Sequence, residues 1–242
     1  MPDIYLYDDV PVLKNKLGIK AEKTLDLVEA EQSRANMMLL YEQGMTDFSA
    51  AGLCAIHHFL FGDIYEWAGR YRIINIEKRE ELLAGRSVWY SNDENIPKDL
   101  DAAFETIAEV QWDQLTREEF VKKLVPCFAK VWQVHPFREG NTRTVVMMMT
   151  LFVEHYGYYM DQDLLASSAG YVRNSFVMAS LDQFSEFEHL EQILLDAVCD
   201  EPLHYTIEGL NGLTAEDTQK EKYKKYQTDK YIPRPHQVRE EQ

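Results

Sequence analysis

The amino-acid sequence predicts an all-α fold, a helical bundle around a buried central helix, with one short β-hairpin. Apolar residues recur at helical spacing through most of the 242 residues, and 45% of residues are hydrophobic, so the chain can bury a sizeable core. The segment 145–153 is apolar on every side and too long for most strands, which indicates a fully buried helix. The segment 71–76 is short and rich in β-branched residues, which favours a strand or hairpin arm.

The N-terminal part predicts an extended arm followed by two helices. Residues 5–11 are typical of an extended segment. The first helix is expected from about Lys20 to Gln43, where Gly44 provides a stop. The second is expected from about Ser49 to Phe61, which carries apolar residues at helical spacing. The polar segment 77–98 indicates irregular structure.

Helix signals return after this polar segment. Residues 99–111 are periodic, and Thr116 with Glu119 forms a capping box that starts the next helix. The buried central helix is expected to end near Gly157, a glycine C-cap. Further helices are expected over 164–181 and 184–199.

The chain is expected to form one domain with a C-terminal extension. We assign residues 1–200 to the domain and residues 201–242 to the extension. Past Leu213 the composition shifts to Lys, Glu, Gln, Tyr and Pro, which is typical of a polar tail or a regulatory segment.

Composition and charge exclude several classes of function. The net charge of −16 argues against general nucleic-acid binding, which needs clustered Lys and Arg. Three cysteines without metal-site spacing indicate free thiols in a reducing compartment. The N-terminus lacks the pattern of a signal peptide, and no apolar stretch is long enough to span a membrane. We therefore expect a cytoplasmic protein with neither nucleic acid nor membrane as partner.

The loop 135–143 has the chemistry of an anion site. It joins an amphipathic helix to the N-terminus of the buried helix, where free N–H groups and the helix dipole attract anions. Gly140 lets the backbone approach a phosphate. Asn141 can cap the helix, and Arg143 in its first turn can pair with phosphate oxygens.

Two further side chains of this loop suit catalysis. Glu139 is a hard oxygen ligand of the kind that Mg²⁺ accepts beside phosphates. His135 has an unperturbed pKa that suits proton abstraction near neutral pH. Taken singly, such residues are more often surface or turn residues. Together within nine residues, ahead of a buried helix, they favour a catalytic site.

The loop reads HPFREGNTR, which resembles the signature of the Fic family, His-x-Phe-x-(Asp/Glu)-Gly-Asn-x-Arg. Residues 12–19 and 61–70 are similar to the N-terminal arm and the helix-to-flap segment of bacterial Fic toxins. The resemblance extends from about Tyr5 to Cys199. It implies the Fic fold and a protein adenylyltransferase, which moves AMP from ATP to a Ser, Thr or Tyr hydroxyl of a target protein.

The resemblance implies a role for each loop residue. His135 matches the general base that deprotonates the target hydroxyl. Glu139 matches the ligand of a Mg²⁺ ion that bridges the α- and β-phosphates. Gly140 and Asn141 match the anion hole, Asn141 through its side chain to the α-phosphate, and Arg143 matches a phosphate contact.

The resemblance also implies a docking segment for the target. Residues 72–78 look like the family's flap, which docks an extended target segment by backbone pairing. The docking residues would be Arg72, Ile73, Ile74, Asn75, Ile76 and Lys78.

The sequence departs from the family pattern at two loop positions. Thr142 stands where the family usually has Gly. Val146 stands where the family has a second arginine, which holds the γ-phosphate and pairs with an inhibitory glutamate. Two alternatives therefore stay open: a degenerate Fic-fold binding module, or a Fic enzyme that uses another nucleotide or phosphate donor.

Residues 205–209 resemble the latter half of the family's inhibitory motif, with Glu208 as the glutamate. His204 replaces the expected Ser or Thr of that motif. Glu208 is accordingly either a working inhibitory residue or a vestige, and a small antitoxin is the alternative source of inhibition.

Overall fold

The computed structural model describes residues 3–202 and 223–227. Within them, eight α-helices confirm the predicted all-α class. They are α1 (Glu22–Gln43), α2 (Ala50–Phe61), α3 (Ile96–Ala108), α4 (Arg117–Val134), α5 (Asn141–His155), α6 (Gln162–Ser167), α7 (Ala169–Ala179) and α8 (Glu188–Ala197). Two short strands, β1 (Tyr159–Met160) and β2 (Val198–Cys199), pair antiparallel, with Tyr159 opposite Cys199.

The central helix α5 lies between α2 and α4. Its segment Met147–Met149 is fully buried, because α5 is apolar on every side and has neighbours around it. The chain turns at Gly157, whose φ of +85° suits glycine. The prediction of a buried central helix is thus confirmed, and its N-terminus faces the loop 135–143.

The helix α4 begins at the predicted capping box. The Thr116 hydroxyl accepts from the Glu119 N–H (3.4 Å), and the Glu119 carboxylate accepts from the Thr116 N–H (3.0 Å). The helix packs against α3, α5, α7 and α8 and ends at His135. This packing fixes the place where the loop 135–143 begins.

The predicted helix over 164–181 is wrong. It is two helices, α6 and α7, that meet at Ser168. The Asp161 side chain accepts from the Leu164 N–H (2.9 Å), which starts α6 early. The last predicted helix begins at Glu188, four residues later than expected, after a turn at 182–184.

The segment 71–76, predicted to be a strand or hairpin arm, is non-helical as expected but forms no regular strand. The chain bends at Ile73 and Ile74, more and less exposed residues alternate along the segment, and within the described chain it pairs with no strand. The Arg72 N–H donates to the Pro136 carbonyl (2.8 Å) and the Ile73 N–H to the Tyr5 hydroxyl (3.1 Å), so these donors are used outside any ladder. A single bridge between Glu80 and Arg86 closes the loop that follows.

Most of the predicted extension, including Glu208, lies outside the described residues. Residues 223–227 are described, and they pack on α8. Tyr226 is 1% exposed, and its hydroxyl donates to the Gln192 carbonyl (3.0 Å). In the part of the chain that the structure describes, no helix has the length and apolarity to cross a membrane.

Candidate active site

The end of α4 sets the backbone of His135 in an unusual conformation. Its φ of 52° and ψ of 57° lie in the left-handed region, which is uncommon for a residue other than glycine. The ring of Tyr90 stacks on the imidazole at 4.1 Å between centroids, and the Trp132 ring meets it edge-on at 5.1 Å. The imidazole is therefore fixed between two aromatic rings.

The imidazole of His135 is 2% exposed, and neither ring nitrogen has a hydrogen-bond partner among the described residues. Burial lowers its pKa well below the ordinary value, and the charges of Lys78 and Arg72 lower it further. The ring is neutral at neutral pH. One nitrogen is therefore available to accept a proton from a molecule that enters the site.

Arg72 connects the flap segment to this loop. Its side chain is 1% exposed. It donates to the carbonyls of His135 (2.9 Å), Ile74 (2.7 Å) and Ser91. Arg72 was expected to dock a target, but the structure places its side chain and its N–H in the scaffold that holds the catalytic loop.

The other flap residues differ in their exposure. Ile73 is 66% exposed, whereas Ile74 and Ile76 are half-buried. The Asn75 side chain accepts from the Asp93 N–H (2.9 Å). Lys78 reaches the catalytic loop and pairs with the Glu139 carboxylate at 3.3 Å. Of the predicted flap residues, Lys78 is the one that lines the cavity described below.

The side chain of Asn141 stabilises the loop instead of capping α5. Its oxygen accepts from the Phe137 N–H (2.9 Å), and its amide donates to the Phe137 carbonyl (2.8 Å). Helix α5 begins at Asn141 itself, with Gly140 in the N-cap position. The expectation that Asn141 caps the helix was wrong, because the short turn brings Phe137 within reach first.

His57 supports the loop from behind. Its ring stacks on Phe137 at 3.8 Å, accepts from the Gly69 N–H (2.8 Å) and lies 3.0 Å from the Glu139 carbonyl. Burial lowers the pKa of His57 to about 3. The ring is therefore neutral, and its second nitrogen donates to the Glu139 carbonyl.

The backbone conformation and the neighbouring Phe61 ring leave room only for a glycine at position 140. Its φ is +81°, and a Cβ at this position would lie 2.5 Å from a ring carbon of Phe61. The N–H groups at the start of α5 lack acceptors within the helix, since the first helical bond runs from Thr144 to Gly140 (3.0 Å). These N–H groups at a helix N-terminus have the chemistry to bind an anion.

The carboxylate of Glu139 faces the same space. Burial acts to raise its pKa, but the charge of Lys78, the Gly140 N–H (3.1 Å) and the charge of Arg143 outweigh it and lower the pKa. Among the described residues no cluster of three or more metal-ligating side chains exists. The protein thus offers one ionised carboxylate, which fits a Mg²⁺ ion held mainly by phosphates and water.

Arg143 is held in place by α1, a contact that the sequence did not indicate. Its guanidinium pairs with the carboxylate of Glu29, donates to the Ser33 hydroxyl (2.8 Å) and lies 4.8 Å from the centre of the Phe61 ring. Glu29 is buried and also accepts from the Tyr65 hydroxyl.

The predicted loop residues meet in a cavity of about 180 Å³. His135, Glu139, Gly140, Asn141 and Arg143 line it together with Lys78, Trp132, Thr142 and Arg173. Thr142, a departure from the family pattern, accepts a hydrogen bond from the Trp132 indole (2.9 Å). The hydroxyl thereby fixes the ring that borders His135, which a glycine could not do.

Known proteins resemble this chain in sequence. A sequence model described as the Fic/DOC family matches residues 47–153. The probable protein adenylyltransferase y4lH of Sinorhizobium fredii is 32% identical over 167 residues, which cover 67% of this chain and 81% of that protein. A protein adenylyltransferase of Bartonella henselae is 31% identical over 199 residues, which cover 78% of this chain but only 36% of that longer protein.

A solved structure agrees with the fold. The N-terminal Fic domain of a VirB-translocated Bep effector protein from Bartonella quintana, with bound ADP, matches with a TM-score of 0.66 and 25% identity. The match covers 80% of this chain and 94% of that one. The architecture around α5, the loop 135–143 and the similarity to y4lH together lead to one conclusion: this chain belongs to the Fic/DOC family.

Proposed function

We propose that the chain is a protein adenylyltransferase that transfers AMP from ATP to a Ser, Thr or Tyr hydroxyl of a target protein. One observation carries the proposal. The neutral His135 ring with unpartnered nitrogens, the ionised Glu139 and the N-terminus of α5 line one cavity. A base, a carboxylate and an anion site in contact are what phosphoryl-group chemistry requires.

The relatives support the class of reaction. The proteins from Sinorhizobium fredii and Bartonella henselae are both named protein adenylyltransferases, so the prediction of a nucleotidyltransferase enzyme is confirmed. The Bartonella quintana domain was solved with ADP, which supports a nucleotide substrate.

In the proposed reaction the target hydroxyl loses its proton to the free nitrogen of His135. The hydroxyl oxygen forms a bond to the α-phosphorus of ATP, and the bond from that phosphorus to the bridging oxygen of the β-phosphate breaks. Pyrophosphate leaves. The burial that lowers the His135 pKa also excludes water from the proton acceptor, and the anionic phosphates would oppose the influence of Lys78 and Arg72 on that pKa.

The remaining loop residues would bind and orient the phosphates. The free N–H groups at the start of α5 and the guanidinium of Arg143 are the donors. Glu139 would hold a Mg²⁺ ion, which neutralises phosphate charge when bound. Lys78, which pairs with Glu139 at 3.3 Å, would be a further cation within reach of a phosphate oxygen.

The target would dock along the flap segment. Ile73, Asn75 and Glu77 are exposed in alternation. Within the described chain, the N–H groups of residues 74–77 have no hydrogen-bond partner. An extended target segment could add to this edge as a strand.

The experiment is to incubate the protein with Mg²⁺, cell lysate and ATP labelled at the α-phosphate, with and without EDTA. We expect a labelled protein band and stoichiometric pyrophosphate, both lost with EDTA. Label without a divalent ion would refute the role of Glu139. ATP binding without label or pyrophosphate would favour the degenerate binding module, which the absence of the second arginine supports. Transfer from a different nucleotide in place of ATP would favour a Fic enzyme that uses another nucleotide or phosphate donor.

A further inference from the structure

Val146 stands where the Fic family has its second arginine, so this chain lacks that cation beside the loop 135–143. Val146 lies about one turn of α5 beyond Arg143 and lines a groove of about 1820 Å³ formed by residues of α1, α5, α6 and α7. The groove adjoins the cavity that contains His135, because Glu139, Thr142 and Arg143 line both. A valine at this position offers no donor to a phosphate.

A different arginine faces the same space. Arg173 on α7 lines both the cavity with His135 and the groove with Val146. Its side chain is 40% exposed, so it remains accessible to a molecule in the groove. The charge of Arg173 acts on the His135 imidazole, since it is one of the charges that lower the pKa of that ring.

Arg173 is held in place by a buried carboxylate at the end of the flap segment. Its two terminal nitrogens each donate to Glu80, both at 2.8 Å, and the Glu80 side chain is 4% exposed. A guanidinium has five N–H donors, and this pair uses two of them. The other three remain for a further anion, on a side chain that Glu80 has already oriented.

We propose that Arg173 binds the β- and γ-phosphates of ATP in place of the arginine missing at position 146, with Glu80 as its positioning residue. This inference rests on the proposed function. The α-phosphate would lie at the N-terminus of α5 beside His135, and the terminal phosphates would extend toward the side that Val146 and Arg173 share. The Glu80 N–H donates to the Arg86 carbonyl (3.0 Å), so the residue that orients Arg173 also closes the loop that follows the flap segment.

The test compares the binding of ATP and of AMP by isothermal titration calorimetry in the presence of Mg²⁺. We expect Arg173→Ala to weaken ATP binding about tenfold to a hundredfold, the range of a charge-assisted hydrogen bond, and AMP binding less than threefold. Adding Val146→Arg to that variant should restore most of the ATP affinity. Arg79→Ala, an exposed arginine on the same segment, is the matched control and should leave both affinities as they are.

A purely structural pair gives a different result. If Arg173 only neutralises Glu80, then Arg173→Ala lowers the melting temperature and weakens ATP and AMP binding equally, and Val146→Arg does not restore ATP binding. Equal weakening of the two nucleotides, or the lack of rescue by Val146→Arg, overturns the inference. Arg173→Lys, which keeps a cation beside Glu80, is the second variant if Arg173→Ala does not fold. It should lose ATP affinity selectively, and Val146→Arg should restore that affinity. A wild-type protein that binds no ATP would overturn the proposed function as well, whereas normal ATP binding and label transfer by Arg173→Ala would overturn this inference alone.

Discussion

At the scale of single residues, Gly140 determines how closely the catalytic loop approaches the start of α5. Its φ of +81° and the 2.5 Å that would separate an added Cβ from the Phe61 ring both exclude a larger residue. Phe61 in turn lies against the guanidinium of Arg143. Glycine at this position therefore leaves the space that Phe61 occupies beside Arg143, and in the proposed function it would also let a phosphate approach the backbone.

We expect Gly140→Ala to lower the free energy of unfolding by about 2–4 kcal/mol, from the left-handed backbone and the overlap with Phe61, and to weaken ATP binding. Gly157→Ala is the matched control. Its φ is +85°, but nothing lies within 4 Å of an added Cβ, so the expected loss is about 1–2 kcal/mol. Urea unfolding measures both. Equal losses would show that Phe61 moves aside at no cost.

The loop residues were predictable from the sequence because they lie together in the chain. The residues that support them were not. Arg72 is 63 positions away from His135, and Glu29 is 114 positions away from Arg143. Nothing local to Arg72 or Glu29 shows which carbonyl or guanidinium each will meet, since that depends on how the helices pack.

At the scale of elements, the flap segment and the catalytic loop form one unit. The Arg72 guanidinium binds three carbonyls, two of them on the segments at 91 and 135, and the Arg72 N–H binds the Pro136 carbonyl. The loop is thus held at its first residue by the segment proposed to receive the target. Displacement of one would displace the other.

Replacement of Arg72 by lysine tests this connection. A lysine cannot bind three carbonyls in the planar fork geometry of a guanidinium, so buried carbonyls lose their donors. We expect Arg72→Lys to cost about 1–3 kcal/mol of stability and to reduce label transfer at least tenfold, with ATP affinity changed less than threefold. Arg79→Lys, which is exposed, serves as the control. Full transfer by Arg72→Lys would contradict a positioning role.

Elements with a start or stop signal in their own sequence were predicted correctly, whereas elements that depend on contacts with distant residues were not. Helix α4 has a local start signal in the Thr116 capping box and α5 a local stop signal in Gly157, and the structure confirms both. The flap has β-branched residues but no strand partner within the described chain; the N–H groups of Arg72 and Ile73 donate to Pro136 and Tyr5 instead. The break at Ser168 has Gly170 two residues later, which is only a weak breaker inside an otherwise helical pattern.

At the scale of the whole molecule, buried neutral histidines make stability depend on pH. His57 has a folded-state pKa of about 3, whereas an unfolded histidine titrates near 6.5. At pH values between these two pKa values, His57 binds a proton in the unfolded chain but not in the folded one. The contribution of His57 is therefore fully present above pH 6.5 and is lost as the pH falls toward 3.

We expect the free energy of unfolding to fall by about 1.4 kcal/mol per pH unit from this one group as the pH goes from 6 to 4.5. His57→Gln should reduce that slope, since an amide can still donate to the Glu139 carbonyl but does not titrate. His155→Gln, an exposed histidine at the end of α5, is the control. Urea unfolding at several pH values gives the slopes. An unchanged slope in His57→Gln would contradict the assignment of a buried neutral ring.

The central claim is that His135 takes the proton of a target hydroxyl while AMP is transferred. The most direct measurement compares ATP labelled at the α-phosphate with ATP labelled at the γ-phosphate, using wild-type protein and His135→Ala. We predict that wild type transfers the α-label and not the γ-label. We also predict that His135→Ala binds ATP normally but transfers label at least about 10²-fold more slowly, the smallest loss expected for removal of a general base. Undiminished transfer of the α-label by His135→Ala, or transfer of the γ-label by wild type, would contradict the account.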